Sequence, residues 1–115
     1  DIFSPNALGA ILTASSIAAL DVAIVAGGAN NQMATPADAQ RLYDRGILYA
    51  PDYVINAGGI INVGLEYLGD TSVDEVNSRI DAIPGRLFAI WEESEARKLP
   101  AAVVADEMAQ RLIGR

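Results

Sequence analysis

The stretch Pro51-Asp52-Tyr53-Val54-Ile55-Asn56-Ala57-Gly58-Gly59-Ile60-Ile61-Asn62-Val63 decides how this chain is read. Its first half, through Ile55, is strand-like, and from Ala57 onward the spacing is helical, with one Asn and two glycines between. A polar turn where an extended segment hands over to a helix is where α/β proteins place ligands. Glycines let the backbone approach a bound group closely, and the first turn of the following helix directs unpaired N–H groups at it. The competing local reading is a plain strand-to-helix loop whose glycines serve packing.

On the N-terminal side, Ile47-Leu48-Tyr49-Ala50 and Val22-Ala23-Ile24-Val25-Ala26 are continuous apolar runs, the pattern of strands buried on both faces. Between them, Thr35-Pro36 with Asp38 predicts a capped helix start, Leu42 and Tyr43 are expected to face inward, and Gly46 ends the helix. Strand, helix and strand in that order make a parallel crossover unit. Asp1 to Pro5 alternates polar and apolar residues before a proline, as the end of a strand leaving a sheet does. Thr13 is placed to cap a short helix carrying Ile17 and Leu20.

On the C-terminal side, residues 57–68 are helical in pattern, with Ile60 and Val63 on one face, and Gly69-Asp70-Thr71 breaks the run. Ser72 and Glu75 form a capping box ahead of Val73, Val76, Ile80, Ile83, Leu87 and Ile90, a helical series that Pro84-Gly85 should kink or divide. Pro100 opens a last helix whose stripe is Ala105, Met108, Ala109, Leu112 and Ile113. The chain therefore divides into a sheet-containing part, residues 1–69, and a helical segment of the same domain, residues 70–115.

Composition narrows the chemistry. A chain of 115 residues, 51% hydrophobic and 20% charged, suits one small globular domain. A formal net charge of −7 without any basic run argues against nucleic acid, and no apolar stretch is long enough to span a membrane. The absence of cysteine removes disulfides and thiolate metal sites and fits a cytoplasmic chain, while the absence of histidine removes imidazole catalysis. No G-x-G-x-x-G can be written, and the P-loop glycine spacing from Gly59 to Gly64 is followed by Leu65-Glu66 in place of Lys and Ser or Thr. Paired carboxylates such as Glu92-Glu93 read as a solvated helix face. No catalytic residue and no metal ligand set is found. What remains is neutral: Asn6, Asn30, Asn31, Gln32 and Asn56 at strand ends, amides able to bond ribose hydroxyls and a carboxamide, with Ile60 and Val63 as an apolar floor for a small aliphatic group.

Three segments then resemble consecutive motifs of the glutamate/leucine/phenylalanine/valine dehydrogenase family, and within it the leucine dehydrogenases: Asp1-Ile2-Phe3-Ser4-Pro5-Asn6-Ala7-Leu8-Gly9, Val25-Ala26-Gly27-Gly28-Ala29-Asn30-Asn31-Gln32, and Tyr49 to Val63. The resemblance runs along essentially the whole chain and corresponds to the C-terminal part of the family's proteins. It implies an α/β fold, the C-terminal half of a Rossmann-type NAD(P)-binding domain followed by two C-terminal helices. It also implies oxidative deamination of a branched-chain L-amino acid to the 2-oxo acid, with NAD as cofactor. Asn30 and Asn56 are expected at the nicotinamide ribose and carboxamide, the Pro5-Asn6-Ala7 loop against the cofactor, and Ile60 and Val63 along the substrate side chain. Ile60 is bulkier than the family's usual valine, and Asn6 stands where a Cys is usual. The family's catalytic Lys and Asp and its glycine fingerprint lie upstream, so the expected partners are the amino-acid substrate, a missing upstream catalytic domain and further copies in a homo-oligomer. The alternatives are a non-catalytic, self-associating scaffold and a phenylalanine-specific member of the family.

Overall fold

A computed structural model describes residues 1–69 and 72–114. Its centre is a three-stranded parallel sheet in the order β1 (Ile2–Phe3), β2 (Ile24–Val25), β3 (Leu48–Tyr49). The register pairs Ile2 with Ile24 and Phe3 with Val25, then Ile24 with Leu48 and Val25 with Tyr49. Helix α1 (Ala14–Ala19) joins β1 to β2, and α2 (Ala37–Asp44) joins β2 to β3. After β3 come α3 (Asp52–Ile55), α4 (Gly58–Tyr67), α5 (Val73–Asp81), α6 (Ile83–Arg97) and α7 (Ala101–Ile113).

Local chemistry accounts for the boundaries. The Thr13 side chain accepts from the Ser16 N–H at 3.1 Å and the Ser16 hydroxyl accepts from the Thr13 N–H at 2.8 Å, a reciprocal cap that starts α1. The expected Thr35 cap is not made: Pro36 occupies the cap of α2 without a side-chain bond, and Asp38 instead accepts from the Thr35 N–H at 2.7 Å, two residues before the helix starts, while Gly46, with φ +67°, ends that helix's exit turn. Ser72 caps α5 through the Glu75 N–H at 3.0 Å. The helical series is divided at Ala82, with Pro84 in the first turn of α6, and Pro100 precedes α7 as expected. The predicted break at Gly69-Asp70-Thr71 falls in part outside the described residues.

Four further expectations are corrected. The strand-like run Pro51–Ile55 is not extended: Asp52–Ile55 is α3, because Pro51 turns the chain out of β3 and Val54 is buried against Ile90, Ala101, Val104 and Ala105. That tertiary burial overrides the strand preference of Val and Ile. The strands are covered on one face. Val25 and Tyr49 are buried beside the half-buried Phe3, whereas in the other row Ile2 is 63% and Leu48 39% exposed. Tyr43, next to the buried Leu42, points outward, and the stripe of α7 is buried at Ala105 but exposed at Leu112 and Ile113.

The core has two parts. One gathers Leu12, Ile17, Val25, Leu42, Ile47 and Tyr49 around the sheet; the other packs α3 between α6 and α7. Helix α7 also packs on α2 and β3, so the C-terminal helices cover the sheet's β3 side. The Trp91 Nε1–H donates to the Tyr49 carbonyl at 2.8 Å and so caps β3 on its outer edge. Helices α4 and α5 pack on each other and reach the rest through α6; Leu65 is the one buried residue that α4 and α5 contribute.

Candidate functional site

All three strands run the same way, so the segments after them gather at one end of the sheet. These are Ser4 to Ala7 after β1, Ala26 to Gln32 after β2 and Ala50 to Asn56 after β3. In parallel α/β sheets this end receives ligands.

The first two segments are bound together by main-chain and amide bonds. The Ala29 N–H donates to the Pro5 carbonyl at 2.9 Å, and the Gly28 N–H donates to Asn6 Oδ1 at 2.7 Å. Asn6 Nδ2 donates to the Ser4 carbonyl and hydroxyl. Gly27 lies so close to Pro5 that a Cβ there would sit 2.1 Å from the Pro5 carbonyl oxygen, which is why this position carries no side chain. Pro5 is consequently buried, while Asn6 and Ala7 face solvent.

The second and third segments meet through side chains. Asn56 Nδ2 donates to Asn30 Oδ1 at 2.5 Å, and Asp52 Oδ2 accepts from the Gln32 N–H at 3.0 Å. Gln32 is wholly buried, its Nε2 bridging the Gly27 and Ala29 carbonyls at 2.7 and 2.9 Å. Asn31, with φ +51°, turns the chain so that its carbonyl takes the Ala10 N–H at 2.7 Å.

Among the described residues the Asn30–Asn56 bond leaves the Asn30 amide NH2 and the Asn56 Oδ1 without a protein partner. A primary carboxamide offers the complementary acceptor and donor, and a ribose hydroxyl can serve either. This donor and acceptor set is neutral, so these residues fit the carboxamide and ribose of a nicotinamide nucleotide. No Lys or Arg stands in the three segments, so no side chain there brings a positive charge to a phosphate chain.

The structure therefore brings Pro5, Asn6, Asn30 and Asn56 together, with Ala7 adjacent in the same loop. Ile60 and Val63 lie one turn further, on α4, and are 71% and 58% exposed. They share a face of the helix, and a pocket there needs a second wall. A concavity of about 680 Å³ is lined instead by Tyr43, Leu48, Phe88 and Trp91 and includes none of the strand-end amides. No group of three or more carboxylates able to hold a metal is found among the described residues, and no helix there is long and apolar enough to cross a membrane.

Two contributors escaped the sequence. Asp52 reads as the start of a strand, so its carboxylate bonds to the Gln32 and Tyr53 N–H groups were not foreseeable. Tyr49, whose hydroxyl is buried and has no hydrogen-bond partner among the described residues, reads only as a strand residue. Burial, and then the negative charge of Asp52, push its phenol well above the ordinary range, so it stays protonated at any physiological pH. Burial and the bond to Asp106 Oδ1, at 2.7 Å, do the same for Tyr53, which ties α3 to α7.

Comparison with known proteins gives a consistent set. A family model described as glutamate/leucine/phenylalanine/valine dehydrogenase matches residues 1–112. Leucine dehydrogenase of Thermoactinomyces intermedius is 41% identical over 98% of this chain and 31% of its own length. Valine dehydrogenase of Streptomyces coelicolor is 40% identical over 96% of this chain and 30% of its own. The crystal structure of L-tryptophan dehydrogenase from Nostoc punctiforme superposes with a TM-score of 0.92 at 40% identity, covering 99% of this chain and 34% of that one. The chain thus spans about a third of the length of the relatives it matches.

Proposed function

Because the chain belongs to the glutamate/leucine/phenylalanine/valine dehydrogenase family, we propose that it is the C-terminal, coenzyme-facing part of an NAD-dependent amino-acid dehydrogenase. The observation that carries this is the Asn30–Asn56 pair at the carboxyl ends of β2 and β3, with a free donor and a free acceptor turned outward. Asn56 Oδ1 and the Asn30 amide orient a carboxamide and its ribose, and the buried Pro5 holds the Asn6-Ala7 loop beside them. The chemistry supplied by bound NAD is acceptance of a hydride at nicotinamide C4 from the amino-acid Cα. This chain's residues fix the position and face of that ring and move no proton, since the nearby Asp52 carboxylate is engaged by the Gln32 and Tyr53 N–H groups.

The sheet supports the half-domain assignment. Its β3 edge is capped by Trp91, whereas among the described residues nothing pairs with the outer edge of β1, and Ile2 and Leu48 are exposed on one face. Parallel sheets are normally covered on both faces, so a Rossmann-type domain completed by upstream strands alongside β1 accounts for both. The exposed apolar residues Tyr67, Leu68 and Val73 of the α4–α5 region suit burial against the upstream catalytic domain or a neighbouring subunit of a homo-oligomer. A cytoplasmic enzyme fits the chain's lack of cysteine.

For substrate, Ile60 and Val63 present aliphatic surface without charge, which leaves a side-chain carboxylate unpaired and favours leucine, isoleucine or valine. The bulk of Ile60 favours these over phenylalanine. Two relatives act by name on leucine and on valine, and a third on tryptophan.

The test compares the 115-residue chain with one extended upstream. The extended chain should reduce NAD with L-leucine and the short chain should not; robust turnover by the short chain would refute the assignment. Self-association of the short chain in sedimentation, with no NAD binding by the extended one, would favour a scaffold.

A further inference from the structure

The Asn30–Asn56 pair can orient a carboxamide only if the two loops that carry it keep their spacing. One helical turn before Asn56, and two residues after Asn30, a second tie runs beside it: the Asp52 carboxylate, half-buried, accepts from the Gln32 N–H at 3.0 Å through Oδ2 and from the Tyr53 N–H at 2.6 Å through Oδ1. Both ends of this tie are anchored. On the β3 side, the Asn56 N–H donates to the Asp52 carbonyl at 2.9 Å, so Asn56 follows wherever Asp52 goes. On the β2 side, Gln32 is wholly buried; its side chain grips the Gly27 and Ala29 carbonyls, and its own carbonyl takes the Leu12 N–H at 2.9 Å, so the loop bearing Asn30 moves with Gln32 as a unit.

We propose that Asp52 is a positioning residue of the coenzyme site: its carboxylate, bonded to the Gln32 N–H, holds Asn30 and Asn56 at the separation that a nicotinamide carboxamide requires. The proposal rests on the assignment of the amide pair to the coenzyme. Asp52 touches no ligand itself; it acts through the two asparagines. Without the carboxylate, the exposed Asn56–Asn30 bond is the remaining side-chain tie between these loops among the described residues, and that bond must then rearrange when a ligand competes for either amide.

The experiment uses the extended, catalytically complete protein and measures the NAD dissociation constant, kcat at saturating NAD, and thermal unfolding for Asn56→Ala, Asp52→Ala, Asp52→Asn and the Asp52→Ala/Asn56→Ala double variant. Asn56→Ala should weaken NAD about tenfold, and Asp52→Ala by a comparable factor with kcat within about twofold. Asp52→Asn, which keeps one acceptor oxygen, should fall between. In the Asn56→Ala background, loss of the carboxylate should change affinity by less than about twofold, because there is no longer a pair to space. If Asn56→Ala weakens NAD and neither Asp52 variant does, the positioning role is wrong and the amide assignment stands. If Asn56→Ala leaves NAD binding unchanged, the amide assignment itself fails, and the proposal with it. Equal effects of Asp52→Ala in both backgrounds would mark a general structural role and overturn the proposal. Should Asp52→Ala not fold, Asp52→Asn carries the same cycle, with a loss of about threefold expected alone and none in the Asn56→Ala background.

Discussion

Replacing Gly27 by alanine tests the closest contact in the candidate site. The added Cβ would lie 2.1 Å from the Pro5 carbonyl oxygen, 2.5 Å from the Pro5 nitrogen and 2.6 Å from Pro5 Cδ. Two of these are main-chain atoms, so no rotamer change relieves the overlap; the segments after β1 and β2 must separate by about 1 Å. Three bonds cross that seam: Ala26 N–H to the Phe3 carbonyl at 3.0 Å, Ala29 N–H to the Pro5 carbonyl at 2.9 Å, and Gly28 N–H to Asn6 Oδ1 at 2.7 Å. At about 1 kcal/mol net for each bond, with more where a buried partner is left unpaired, the cost is about 3–5 kcal/mol, a large share of the stability of a domain this size. Trp91, the chain's single tryptophan, reports urea unfolding through its fluorescence. With a slope of about 1.5 kcal/mol per molar urea, the midpoint should fall by about 2 M or more, and NAD binding by the extended protein should be lost. Gly59→Ala is the matched control. A Cβ there meets nothing within 4 Å and the residue lies in α4, so the exchange should be neutral or stabilise by up to about 1 kcal/mol. A Gly27→Ala midpoint within about 0.3 M of the parent chain would refute the close-approach reasoning.

Two further outcomes concern the scaffold. Asp38, 1% exposed, accepts from the Thr35 N–H and hydroxyl and from Arg41 at 2.6 Å; burial alone would raise its pKa, but these bonds and the Arg41 charge outweigh it and hold it below the ordinary carboxylate value. Its stabilisation is therefore full above the unfolded-state pKa, near 4, and is lost as pH falls through the lower folded value. Asp38→Ala should cost about 1–3 kcal/mol at pH 7 and flatten that part of the urea-midpoint profile between pH 5 and 2; a profile as steep as the parent's would count against it. Trp91→Phe removes the Nε1–H donor to the Tyr49 carbonyl and part of the edge-to-face contact with Phe88 at 5.8 Å, so the melting temperature by circular dichroism should drop by about 5 °C or more, and an unchanged value would show that this cap is dispensable.

What the sequence disclosed depended on whether the partner was near in the chain. The Thr13–Ser16 cap, the Ser72–Glu75 cap, Gly46 and the Pro84 division are decided within a few residues, and all appear where the spacing put them. The parallel pairing of β2 and β3 followed from two apolar runs separated by a helix, whereas the pairing of β1 with β2 had no such signal. Pro51–Ile55 was misread because its helix owes its stability to Ile90, Ala101, Val104 and Ala105, which no local window contains. Tyr43 faces outward because the buried side of α2 runs through Ala39 and Leu42, three apart, and Tyr43 lies at its margin. At the site, the asparagines were visible as neutral groups at strand ends, but the bonds Asp52–Gln32 and Trp91–Tyr49 engage main-chain atoms 20 and 42 residues away, and main-chain atoms leave no mark in a sequence.

That last bond also sets an order of events during synthesis. The outer edge of β3 is complete once Tyr49 has left the ribosome, and its cap emerges 42 residues later. At about 5–20 residues per second, the interval is about 2–8 s. For that time the newest strand offers a bare edge to any neighbouring nascent chain, a hazard that folded sheets suppress. With two residues and a half-exposed Leu48, β3 is a poor template for such pairing, so its brevity guards the edge until Trp91 arrives to close it.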